Sequence, residues 1–288
     1  MIVTASERLR RRPKVNMAIF GPFGIGKTFQ ANTLDPEKTL FVDLEAGTLA
    51  IEGWAGDTLS IMDVAKQTGG HPWEVTRALS TMIGGPDPSD ITNPRADGQG
   101  AYSKEAHAEY VAGFAKLGIT PESFDKYDLI YVDSITQASR YALQWAQAQE
   151  DAWSDKKDAA DMLGAYGLLG REAIQWLCYL QHCPKGVVVV GILNSVTNDF
   201  GKTIHTPQIE GAKTAAALPG IFDVVLTLDE FEFEGQEGKH RAFCCHQDNK
   251  WGYPAKDRSG TLDTLEKPHL GELIEKIRAG KRTDKAEF

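Results

Sequence analysis

Short apolar runs that break at a glycine or an acid recur along this chain, separated by longer stretches with helical spacing. Val15–Phe20 (VNMAIF) stops at Gly21, and Thr39–Leu44 (TLFVDL) leads into Glu45 and Gly47. Tyr127–Val132 (YDLIYV) ends on Asp133-Ser134; Val187–Leu193 (VVVVGIL), Phe222–Leu228 (FDVVLTL) and Arg241–His246 (RAFCCH) follow. Brief apolar runs bounded by turn residues predict buried strands. The β-branched run at 187–193 belongs to a strand covered on both faces, as in a parallel sheet.

Between these runs, Gly26 to Leu34 predicts a helix that Asp35-Pro36 stops. Helical signals are mixed over 54–83, where Trp73, Val75, Leu79 and Met82 recur. They return over 102–117 and dominate 135–182, where Ile174, Leu177, Cys178 and Leu180 cover one face. A closing helix is expected at 272–280. Strands alternating with helices imply an α/β, doubly wound, mostly parallel sheet with its ligand site at the carboxyl edge of the strands. Residues 1–14 read as a basic N-terminal arm and 15–280 as one domain with an inserted segment around 84–126. Residues 281–288 read as a charged tail. Within the insertion, 84–100 (GGPDPSDITNPRADGQG) is almost free of apolar residues and predicts a surface loop.

The segment Gly21-Pro22-Phe23-Gly24-Ile25-Gly26-Lys27-Thr28 carries the chemistry. G-x-x-x-x-G-K-[ST] between a strand and a helix is a phosphate-binding loop. Gly24 and Gly26 permit backbone angles that turn N–H groups toward phosphates. Lys27 is placed to reach the β- and γ-phosphates, and the Thr28 hydroxyl to ligate Mg²⁺. A carboxylate ending a neighbouring strand completes such a metal site, which selects Asp133. Ser134 stands where many ATPases keep their glutamate, so the water-orienting acid is sought at the second strand. Alternation places Asp43 and Glu45 on one face there, with Glu45 further out. ATP with Mg²⁺ is the expected cofactor pair.

These features together resemble the RecA-like P-loop ATPases, and over about 15–270 the phage nucleotide-binding group of small single-strand annealing recombinases. The resemblance implies Glu45 as catalytic glutamate, Asp133 as the Walker B acid and Asn194 as a γ-phosphate sensor, a position more often Gln. It also implies that Lys256 and Arg258, in Ala255–Gly260 (AKDRSG), act across a subunit interface. Thr206–Gly220, with Lys213, resembles the loop that faces DNA, and the loop before it carries Lys202 and His205; the resemblance makes these three phosphate contacts. Implied partners are single-stranded DNA, further copies of the chain in a ring or filament, and a single-strand-binding protein. Membranes are not among them, and the implied location is the host cytoplasm. A helicase or translocase motor, a small-molecule kinase and a nucleotide switch are the alternatives.

Composition narrows this only a little. The balance of 31 basic against 40 acidic residues gives a net charge of −9, which argues against nucleic acid coating the whole surface but not against a local strip. None of the four cysteines (Cys178, Cys183, Cys244, Cys245) forms a C-x2-C pair, so they are expected to be reduced thiols rather than zinc ligands.

Overall fold

The fold comes from a computed structural model that describes residues 4, 6–7, 13–84, 104–149, 153–154, 159–197, 199, 201 and 203–280. The arginines of the N-terminal arm, most of the loop at 84–100, Lys202 and the charged tail lie outside the described residues.

Five strands laid side by side build the centre: β1 (Asn16–Gly21), β2 (Thr39–Asp43), β4 (Leu129–Asp133), β7 (Gly186–Thr197) and β9 (Val224–Glu232). A short β3 (Asp57–Ser60) lies beyond β2. Across the sheet the order is β9-β1-β7-β4-β2-β3, every neighbouring pair parallel. Antiparallel additions finish the other edge: β10 (Lys239–Cys244), β11 (Lys256–Asp257) and β12 (Leu265–Glu266). The expected mostly parallel, doubly wound architecture is therefore present.

Strand alternation divides the core in two. Ala18, Phe20, Leu40, Val42, Ile130, Val132, Val187 and Val189 face one side. There they pack under α1 (Ile61–Thr68), α2 (Pro72–Met82), α3 (Lys104–Lys116), α4 (Ile135–Gln147) and α5 (Met162–His182). Met17, Ile19, Phe41, Tyr131, Val188 and Val190 face the other, against α7 (Leu270–Ala279). Phe41 and Tyr131 stack on that side with ring centroids 5.4 Å apart.

Several boundaries differ from the sequence expectation. The stretch after the phosphate loop is a 3-10 helix, Thr28–Thr33, rather than an α-helix. Thr33 Oγ1 donates to the Gln30 carbonyl and Asn32 Nδ2 to the Phe29 carbonyl, and such local bonds compete with α-helical pairing. The mixed signal at 54–83 resolves into β3, α1 and α2, because β3 is a half-exposed edge strand without an apolar run. The region 135–182 is two helices with a small hairpin between them, β5 (Trp153–Ser154) and β6 (Ala159–Ala160).

β7 runs past its apolar stretch through Asn194–Thr197, which pairs with β8 (Thr203–Pro207) before α6 (Ala212–Ile221) begins. Those residues are mostly polar and exposed, with Val196 and Ile204 as lone apolar positions, so no apolar run marked them. All four cysteines are free, and no cluster of metal-ligating side chains occurs among the described residues.

One buried ion pair ties two helices of the larger core together. Arg77 of α2, 1% exposed, meets Glu172 of α5 and lies 5.6 Å from the Tyr179 ring centroid. Removing one partner leaves a buried charge uncompensated, so Glu172→Gln is expected to cost about 3–5 kcal/mol of unfolding free energy. The double variant Arg77→Met with Glu172→Leu should recover most of that loss. Denaturant titration of the three chains provides the measurement.

Candidate nucleotide site

Gly21 ends β1 where β9 approaches so closely that a side chain would collide with the Leu228 carbonyl oxygen. The chain then loops outward, with Gly24 at φ 73° and Gly26 at φ 101°, a region that L-residues with a Cβ adopt only under strain. Ile25 is buried in the core below the loop, while Phe23 projects into solvent. The Lys27 amine folds over the loop and donates to the carbonyls of Gly21 and Pro22, each at 2.9 Å. From β4, the Tyr131 hydroxyl donates to the Lys27 carbonyl at 2.6 Å. The loop is thus pinned at both ends.

Strand register brings the acids alongside. Asp43 of β2 lies opposite Asp133 of β4, and Asp133 lies opposite Val190 of β7, which in turn faces Ile19 of β1. The carboxyl ends of these strands therefore open on the same edge as the loop. Asp133 is 4% exposed and hydrogen-bonded to the Thr28 side chain. Burial pushes its carboxyl up to about 6, and Glu45 and Asp43 add to the rise while Thr28 and Lys27 oppose it. Burial also lowers the Lys27 amine, against the pull of Asp133 and Glu45.

Asp43 and Glu45 do not share a strand face as alternation predicts. β2 ends at Asp43, whose Oδ1 accepts from the N–H groups of Glu45 (2.9 Å), Ala46 (2.8 Å) and Gly47 (3.4 Å). Asp43 folds the turn that carries Glu45 outward, and Ala46 takes φ 59° within it. Glu45 accepts a hydrogen bond from the Ser134 hydroxyl, which also caps α4 by accepting from Gln137 N–H at 3.2 Å. The peptide joining Asp133 to Ser134 is cis. The turn is held from below as well: Leu44 N–H donates to the Asp133 carbonyl and the Tyr141 hydroxyl to the Leu44 carbonyl. Ser134 thus stands where many ATPases keep a glutamate and donates its hydroxyl to Glu45 of the neighbouring turn.

Lys27, Thr28, Glu45 and Asp133 thus converge. Asn194 is exposed on β7, two residues past Ile192, the partner of Gly21. It helps line a cleft of about 550 Å³ beside Thr136, Gln208 and Ala212. His205 is held by Ser195 (2.7 Å) and by the Tyr253 ring (centroids 4.5 Å apart), and Lys213 lies in the first turn of α6.

Lys256 and Arg258 are not brought to this loop. β11 pairs with Val224 and Val225 at the start of β9, at the opposite edge of the sheet. Lys256 donates to the Pro219 and Phe222 carbonyls at the end of α6, and Arg258 pairs with Asp223 at 2.8 Å. A different cation, Arg241 of β10, approaches the loop beside Gly26. Its run, RAFCCH, reads as a plain strand and gave no sign of this.

Mg²⁺ fits the donors present. It prefers oxygen ligands, usually one or two from the protein with the rest from phosphates and water. Thr28 and Asp133 supply a hydroxyl and a carboxylate side by side, and the carboxyl's raised affinity for a proton marks a place that a cation relieves. Ligation requires the anion, so affinity must rise with pH as Asp133 loses its proton. Mg–nucleotide affinity is expected to fall up to about tenfold per pH unit below about 6, and to level off above about 7. Titration calorimetry across that range tests this, and Asp133→Asn should remove the dependence on that group.

None of the curated proteins matches this chain significantly. Among solved structures it is similar to the flagellar accessory protein FlaH from Methanocaldococcus jannaschii. Identity is 11% over 89% of this chain and 91% of that one, with a TM-score of 0.34. The family model described as an AAA domain matches residues 13–259, from just before β1 to just past β11. With a phosphate loop at one end of that span and converging acids within it, the chain belongs to the AAA-domain family and is an ATPase.

Proposed function

We propose that this ATPase hydrolyses Mg²⁺-bound ATP and couples turnover to single-stranded DNA, as in phage-type recombination or annealing. The observation that carries the hydrolytic part is the Ser134–Glu45 hydrogen bond, which fixes a carboxylate beside Lys27, Thr28 and Asp133. In this reading Gly21–Thr28 holds the phosphates, and Thr28 and Asp133 hold Mg²⁺. Bound Mg²⁺ supplies charge neutralisation on the β- and γ-oxygens. Glu45 orients a water whose oxygen bonds to the γ-phosphorus as the bond from that phosphorus to the β–γ bridging oxygen breaks. The bridging oxygen leaves with ADP, and the water's proton passes through Glu45 to solvent or phosphate. Asn194 senses the γ-phosphate.

The DNA part rests on the β7–β8 hairpin. β7 lies between the strand of the phosphate loop and the strand of Asp133, and it continues without a break into the exposed hairpin. A partner gripping that hairpin therefore pulls on the strand that carries Asn194. Lys202, His205 and Lys213 are the proposed phosphate contacts there. Lys256 and Arg258 lie at the edge opposite the loop, so any role in hydrolysis is in trans. Head-to-tail stacking of copies, the geometry of rings and filaments, sets one chain's lower edge against the next chain's nucleotide.

Lys27→Ala is expected to abolish nucleotide binding. Glu45→Gln should leave binding within about twofold while lowering kcat by about a hundredfold or more. Single-stranded DNA should raise the turnover of the wild-type chain, read as phosphate release with and without oligonucleotide. If DNA neither binds nor changes the rate, the recombinase reading fails and the ATPase stands.

A further inference from the structure

Arg241 stands on β10 opposite Glu230 of β9, yet its guanidinium does not turn to that acid. Its Nη1 lies 3.2 Å from the point that a Cβ on Gly26 would occupy. The side chain is exposed and forms no ion pair or hydrogen bond with another described residue. A planar fork of donors is thus held over the loop's second left-handed glycine, in a chain whose net charge is −9.

Position decides what it can bind. The groups that face the reacting γ-phosphate in the reading above, Asp133 and Glu45, lie on the β7 side of β1, across β4 and β2. Arg241 reaches the loop from the β9–β10 side, away from them. We propose that Arg241 is a ligand of the α-phosphate of the bound nucleotide, the phosphate most remote from the bond that breaks, contributed by the same chain that supplies the loop. This rests on the loop's being the nucleotide site. It makes the site two-sided: metal and acids toward the bond that breaks, and a guanidinium fork toward the diphosphate that remains.

Because ADP keeps the α-phosphate, and no charge develops there as the β–γ bond breaks, the contact is equally strong before, during and after hydrolysis. Interactions of that kind lower KM without raising kcat. Arg241→Gln is therefore expected to weaken ADP and a non-hydrolysable ATP analogue by the same factor, about tenfold. KM for ATP should rise to match, with kcat changed by less than about twofold. Arg241→Lys, which keeps the charge and loses the fork, should recover part of the loss. The exposed position leaves the melting temperature unchanged.

Calorimetric binding and steady-state kinetics on the full-length chain supply all four readings. Tight ADP binding by the wild type with no change in Arg241→Gln overturns the assignment and leaves the phosphate loop intact. A fall in kcat at unchanged KM, or a loss confined to the triphosphate, also overturns it by placing Arg241 on the reacting phosphate.

Discussion

Burying the Asp133 carboxyl at the end of β4 sets up the rest of the site. In that position its proton is held to about pH 6, because water is excluded and two further acids stand nearby. Only Thr28 and Lys27 oppose that effect, and both come from the loop at the end of β1. The free protein therefore keeps an electrostatic tension along the carboxyl edge of its sheet. A cation held beside Asp133 would relieve it.

That tension depends on strand order. With β7 between β1 and β4, the loop and Asp133 start from strands two apart, and Thr28 meets Asp133 across the end of β7. The intervening strand carries Asn194 past the end of the loop and runs on into the β7–β8 hairpin. The turn after β2 closes the third side. Asp43 folds that turn with its own carboxylate, and Ser134 fixes the acid it presents. One carboxylate is spent on backbone geometry, and the turn it folds presents another beside Lys27 and Asp133.

Much of this was legible beforehand, and for identifiable reasons. The loop Gly21–Thr28 is local in sequence, and its glycines and lysine announce their roles through backbone freedom and charge. Asp133 was found because an apolar run ending in an acid marks the carboxyl edge of a buried strand. The hairpin beyond Leu193 escaped because its residues are largely exposed and, apart from the paired Val196 and Ile204, mostly polar. The six-residue 3-10 helix was read as α-helix because side-chain bonds from Asn32 and Thr33 do not show as hydrophobic spacing. Asp43 and Glu45 were assigned to one face because alternation was extended past the end of β2.

The sequence by itself determined a phosphate-binding loop, the strands flanking it and the acid that ends the strand beside it, since each is encoded over a few contiguous residues. Only the tertiary structure decided which distant groups meet there. Parallel pairing at a fixed register set Asp43 opposite Asp133, and the cap of α4 gave Glu45 its partner in Ser134. Strand order left Lys256 and Arg258 at the far edge and brought Arg241 over Gly26 instead. Contacts between residues far apart in the chain follow from how strands order and register against one another, and no local pattern of residues records that.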